Sequence, residues 1–255
     1  MSPAVRGNVE IFESGPELTA AAAERFIAAA DAAIAATETF SVALSGGSTP
    51  RSLFTLLASP AYAARVQWQR VHIFWGDERC VPPDDEESNY RAARELLLDH
   101  VPLREGNIHR IRGEDAPEDA AELYERELRR AFETPTGPPR ADAGARLDLV
   151  LLGLGNNGHT ASLFPHLQAV REQTRWAMAE NVEVLQMWRV TLTPAILNQA
   201  AEILFIVSGR DKAEILRRVL YGARTPDDLP AQVIAPESGR LSWLVDAAAA
   251  TDLPS

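Results

Sequence analysis

Residues 147–166, LDLVLLGLGNNGHTASLFPH, constrain this chain more than any other stretch. Leu147, Leu149, Val150, Leu151 and Leu152 form a nearly unbroken apolar run, the pattern of a strand covered on both faces in a parallel sheet. The run empties into a glycine-rich turn that delivers His159. Ligands of open parallel sheets bind just beyond the carboxyl ends of the strands. An imidazole there titrates near neutral pH and can act as general acid and base. Gly153-Leu-Gly155-Asn-Asn-Gly158 also spells the dinucleotide fingerprint. That fingerprint needs a long helix after its third glycine, and Pro165 arrives too soon to allow one. A glycine turn with a structural histidine is the plainer alternative for this segment taken alone.

A length of 255 residues permits one large α/β domain or two small ones. A hydrophobic fraction of 46% with 24% charged residues is that of an ordinary soluble globular protein. MSPAVRGNVEIFES carries no apolar leader segment, and Glu24, Arg25 and Asp31 interrupt the alanine-rich run that follows. A single cysteine, Cys80, excludes an internal disulfide and fits the cytoplasm; it reads as a loop residue, not a nucleophile. The net charge of −11 with no long basic run argues against nucleic acid as a partner, and nothing suggests a membrane. An anionic ligand would then need locally gathered cations. Lys212 is the one lysine among 25 basic residues, the rest being arginine.

Leu18, Ala22, Phe26, Ile27, Ala30 and Ile34 recur at helical spacing and predict a helix over 16–37. Strands are expected at 40–44, 71–75, 187–192, 203–207 and 241–245. Helices are expected from Pro50, over 89–98 with Ser88 as cap, around 117–132, from Pro194, and over 211–220. Thr134-Pro-Thr-Gly-Pro-Pro139 reads as a surface loop, because the alternation resumes unchanged after it. The whole predicts a single α/β domain over 1–255, with a mostly parallel sheet and helices on both faces.

Three further strand ends carry chemistry. Ser45, Gly46, Gly47, Ser48 and Thr49 place free amides and hydroxyls at a helix start, where phosphate or carboxylate binds; a plain Ser/Thr cap is the alternative. No Gly-Lys-Ser/Thr follows, so this is not a nucleoside-triphosphate loop. Asp77-Glu-Arg79 could bind a polyol and an anion together, or be a solvated turn salt bridge. Ser208-Gly-Arg-Asp-Lys212 sets the sole lysine at a helix N-terminus, which the helix dipole disfavours unless an anion compensates. No serine-hydrolase elbow and no zinc-binding pattern occurs, so neither metal nor cofactor is expected. His72, His100, His109 and His166 lack partners at ligand spacing and read as structural or surface residues.

Four segments in order, SVALSGGSTPRSLFTLL, FWGDERCVPPDDEESNYRAARELL, LDLVLLGLGNNGHTASLFPH and RVTLTPAILNQAAEILFIVSGRDKAEIL, resemble the glucosamine-6-phosphate isomerase/6-phosphogluconolactonase family. The resemblance spans residues 16–245 and is closest to its lactonase branch. It implies the Rossmann-like fold of sugar-phosphate isomerases and deaminases, and metal-free hydrolysis of a phosphorylated sugar lactone in the pentose phosphate pathway. Many relatives carry a carboxylate immediately before Gly-His, where this chain has Asn157. The amide can still orient a ring but adds no charge. Deaminases and isomerases of the fold carry a glutamate five residues after the histidine and an aspartate two before it. Here those positions are Phe164 and Asn157, which disfavours aldose–ketose chemistry.

Residue reading and resemblance together predict His159 as the acid–base group. Ser45 to Thr49, Arg79 and Lys212 would hold phosphate with help from Arg189, and Asp77 and Asn89 the sugar hydroxyls. The amides of the Gly153–Gly158 turn are candidates for the oxyanion. A catalytically silent sugar-phosphate sensor is the rival from another class, though a sensor needs no proton shuttle.

Overall fold

The computed structural model describes residues 6–133 and 146–254. Strands β1 (Asn8–Phe12), β2 (Phe40–Leu44), β3 (Val71–Trp75), β4 (Asp77–Arg79), β5 (Leu149–Leu152), β6 (Ala177–Val182), β7 (Met187–Leu192), β8 (Glu202–Val207) and β9 (Arg240–Asp246) form two sheets. The larger is parallel throughout, in the order β1-β9-β8-β5-β2-β3. Every residue of β2, β5 and β8 is buried, as expected for central strands of a covered parallel sheet.

Around the sheets lie α1 (Gly15–Thr37), α2 (Ser48–Ala58), the single turn α3 (Pro60–Ala63), α4 (Asn89–Leu96), α5 (Pro117–Glu133), the single turn α6 (Pro194–Leu197) and α7 (Ala213–Tyr221). Helix α1 begins where Ser14 accepts a bond from the Glu17 amide, and it ends at Glu38 in the left-handed region. The six apolar positions that define its stripe are all buried, and it packs on β2 and β9. No helix among the described residues is long and apolar enough to cross a membrane. The proline-rich segment 134–139 lies outside the described residues.

The second sheet departs from the expected alternation. Met187–Leu192 is a strand, but it lies in a three-stranded antiparallel sheet, β4-β7-β6, and not in the parallel one. Asp77–Arg79 is an edge strand of that sheet and not a solvated turn, and Asp77 and Glu78 are both buried. Pro194 starts one helical turn only, and a 3₁₀ turn over Arg210–Lys212 precedes α7.

His72 and His109 are structural residues bonded to each other and to Glu127. His72 Nδ1 lies 3.0 Å from His109 Nε2, and His109 Nδ1 lies 2.8 Å from Glu127 Oε1. Burial, then the His109 and Arg104 charges, push the His72 ring down to about 4. The unfolded chain therefore binds a proton near pH 6.5 that the folded one refuses until about pH 4. Stability is expected to be full above pH 6.5 and to fall by about 1–2 kcal/mol on acidification toward pH 4, the ring being partly solvent-screened. Urea midpoints measured across this window should fall less steeply in His72→Gln; an equal slope would remove His72 as the cause.

Candidate active site

A cleft of about 680 Å³ opens at the carboxyl ends of β2, β5 and β8, with β4 and β7 forming one wall. All twelve residues expected at the site line it: Ser45, Gly46, Gly47, Ser48, Thr49, Asp77, Arg79, Asn89, Asn157, His159, Arg189 and Lys212. Their roles in the geometry differ.

His159 is held by its own turn. The Gly155 amide donates to the His159 carbonyl at 2.9 Å, and the Gly158 amide donates to the Gly155 carbonyl at 2.9 Å. A Cβ on Gly155 would come within 2.0 Å of the imidazole, so the close approach requires glycine. Gly158 sits at φ +82°, a conformation side chains resist. Asn157 Oδ1 lies 2.5 Å from His159 Nδ1 and also accepts from the His159 amide at 3.2 Å. An amide oxygen only accepts, which puts the ring proton on Nδ1 and leaves Nε2 with its lone pair. Phe164 stacks on the imidazole at 4.2 Å between centroids. Burial chiefly pushes the ring down to about 4; Asp77 opposes this, while Arg189 and Lys212 add to it. At neutral pH the ring is an uncharged base.

These same bonds narrow the expectation for the oxyanion: within the Gly153–Gly158 turn the amides of Gly155 and Gly158 are committed to the turn itself, as is the neighbouring His159 amide.

Two arginines meet on the opposite wall. The β4–β7 register sets Arg79 directly across from Arg189, an arrangement of like charges that costs stability. The Nε atoms of both are buried without a hydrogen-bond partner among the described residues, as is Ser45 Oγ. Arg189 NH1 lies 3.8 Å from Asp77 Oδ2. Burial lowers the guanidinium's proton affinity; Asp77 raises it and Arg79 lowers it further. An arginine NH1 at Arg79 also donates to the Glu87 carbonyl. Gly47, at φ +104°, turns the chain into α2 and leaves Ser45 at the cleft floor. Lys212 Nζ donates to Asn156 Oδ1 on the histidine's turn and lies 3.4 Å from Asp211 Oδ2. Part of the compensation expected from a ligand is thus supplied by Asp211.

Asp77 and Asn89 form one unit. Asn89 Nδ2 donates to the Asp77 carbonyl at 2.9 Å, and Ser162 Oγ donates to Asp77 Oδ2 at 2.6 Å. Gly46 makes room for Asn89, since a Cβ there would lie 2.0 Å from its Oδ1. Glu78, on the other face of β4, accepts from the Asn89 and Tyr90 amides at 2.7 Å each and holds the start of α4. It does not join Asp77 in the cleft. Ser162 and the stacking role of Phe164 escaped the sequence reading. The strand alternation of Asp77-Glu78-Arg79 puts Glu78 on the opposite face from Asp77 and Arg79, and no such pattern marks Ser162 or Phe164.

Replacing Asn157 by aspartate tests the contact to the ring. A carboxylate at Nδ1 favours imidazolium, so the acidic limb of kcat/KM should move to higher pH with activity retained. A limb that stays or moves to lower pH would show that this contact does not govern His159.

A parallel sheet, three cations and an uncharged histidine thus meet at the carboxyl ends of the strands. The family model described as glucosamine-6-phosphate isomerases/6-phosphogluconolactonase matches residues 13–243, and the chain belongs to that family. It is 37% identical over 252 residues to a 6-phosphogluconolactonase of Nostoc sp., covering 98% of this chain and 99% of that one. It is 38% identical over 208 residues to one of Haemophilus influenzae, covering 82% and 85%. The solved 6-phosphogluconolactonase from Trypanosoma cruzi superposes with a TM-score of 0.85 at 28% identity, covering 100% of this chain and 99% of that one.

Proposed function

We propose that this chain hydrolyses 6-phospho-D-glucono-1,5-lactone to 6-phospho-D-gluconate, the second step of the oxidative pentose phosphate pathway. The single observation that carries the catalytic reading is His159: an uncharged imidazole with a free Nε2, in one cleft with three cations. The phosphate docks on Arg79, Arg189 and Lys212 with Ser45 to Thr49, and Asp77 and Asn89 meet the sugar hydroxyls. Water attacks the lactone carbonyl carbon and gives its proton to His159 Nε2. The tetrahedral intermediate collapses with cleavage of the bond to the ring oxygen, which takes that proton back as it leaves. The new carboxylic acid then ionises in solvent. Lactones are activated esters, so positioning and one acid–base group are a sufficient apparatus.

Phe164 stacks on the imidazole where deaminases and isomerases carry a glutamate, so the acid that those enzymes place at this position to assist ring opening is replaced by an apolar ring. The same reading takes residues 1–255 as one catalytic domain. It also puts the chain in the cytoplasm, since a phosphorylated lactone does not cross membranes and must be used where it is made.

The direct test is base consumption at constant pH on freshly made phosphorylated lactone, with unphosphorylated gluconolactone as control. Turnover no faster than spontaneous hydrolysis would refute the lactonase and favour a sensor. Lys212→Ala should lower kcat/KM for the phosphorylated lactone by about 1.5–3 kcal/mol without lowering gluconolactone turnover. Lys212→Arg should restore only part of the loss, a planar fork replacing a compact ammonium. Equal losses on both lactones would show that Lys212 does not read the phosphate.

A further inference from the structure

The cations of the cleft are wired to the histidine as well as to each other. Phe164 stacks on His159 at 4.2 Å, and the Arg189 guanidinium lies 5.7 Å from the same phenyl ring. Lys212 Nζ bonds Asn156, whose neighbour Asn157 holds His159 Nδ1. One side chain, Phe164, therefore separates Arg189 from the imidazole, and two adjacent residues, Asn156 and Asn157, separate Lys212 from it. Asp77 reaches the ring electrostatically from β4, with Arg79 beside it and Asp211 beside Lys212. Three cations thus face two carboxylates, and the side chains of the cleft give net positive charge around a ring that must accept a proton.

We propose that the cation cluster also serves to activate His159: a dianion docked on Arg79, Arg189 and Lys212 turns a weak base into a competent one, so the phosphate promotes hydrolysis as well as binding. This rests on the lactonase reading and adds to it how the site distinguishes phosphorylated from unphosphorylated lactones. The physical reason is charge reversal. A dianion changes the balance around the ring from net positive to net negative, and a nearby negative charge favours imidazolium. Burial chiefly, with Arg189 and Lys212 adding to it, holds the ring down at about 4, which is poor for a base and wasteful for an acid at neutral pH. A general acid–base group works best when its pKa lies near the working pH. A lactone lacking phosphate meets the weak base. Discrimination should therefore show in kcat, beyond any difference in KM.

Inorganic sulfate is the suitable probe, because it stays dianionic across the acidic range and is too weak a base to hydrolyse lactones itself. His159 is followed by proton–carbon NMR, its signal assigned by loss in His159→Gln, with and without saturating sulfate at matched ionic strength. The expected result is a rise in its pKa by about 1. Sulfate should also raise enzymatic turnover of unphosphorylated gluconolactone several-fold. On the phosphorylated lactone, the acidic limb of kcat should lie at higher pH than that of kcat/KM. An unchanged or lowered His159 pKa, sulfate that fails to bind, or sulfate that only inhibits would overturn the proposal. Absence of turnover on the phosphorylated lactone would instead defeat the lactonase reading, and the NMR arm would still decide this one.

Discussion

Replacing His159 with alanine is expected to lower kcat on the phosphorylated lactone by about 10²–10⁴, the usual contribution of general acid–base catalysis. The expectation rests on orientation as much as on residue type. Asn157 fixes the protonated nitrogen, Phe164 fixes the ring plane, and Gly155 lets the ring approach the turn. What remains of the site after the substitution, three cations and a polar wall, still binds. KM and the affinity for a product-like inhibitor should therefore change little while kcat collapses. The fold should tolerate the change, because the turn is closed by the amides of Gly155 and Gly158 and not by the imidazole. A steady-state assay at neutral pH beside an inhibitor titration makes the check. Retention of more than about a third of wild-type kcat would mean that another group moves the proton.

What the sequence showed plainly was local. The run through Leu149–Leu152 announces a strand buried on both faces, and the next glycines can only be a turn, so His159 could be placed at a strand end before any geometry was known. The stripe of α1 was equally visible, because burial at helical spacing involves only near neighbours. Elements that depend on distant partners were not legible. β1 has no fully buried residue, and β6 mixes exposed and buried positions without a clean period. Asp77–Arg79 is only three residues long, and only its pairing with β7, over a hundred residues later, makes it a strand. The same pairing is what puts Arg79 opposite Arg189, so the strongest feature of the anion site lies in a register that no local pattern encodes. The oxyanion expectation was narrowed for the converse reason. The glycine turn was recognised, but the amides of Gly155 and Gly158 close it on itself, and that follows from its conformation, not from its glycine content.

That register carries the second large prediction. Arg189→Met should lower kcat/KM for the phosphorylated lactone by at least about 30-fold, since truncating one partner of a buried charge pair across a binding interface costs about 2–5 kcal/mol. The side chain is 12% exposed, and its Nε has no partner among the described residues, so a docked phosphate would find it dry and already aimed. Stability should respond differently. The substitution removes a like-charge neighbour of Arg79, which favours folding. It also takes a counter-charge from Asp77, but Asp77 keeps its bonds to Ser162 and Asn89. The two effects oppose, and the Tm of the ligand-free protein should fall by no more than about 4 °C or should rise. Phosphate added to the wild type should raise Tm, and in Arg189→Met that gain should shrink with the lost affinity. A large fall in Tm together with unchanged kcat/KM would make Arg189 a structural counter-ion for Asp77 and move the phosphate site elsewhere in the cleft.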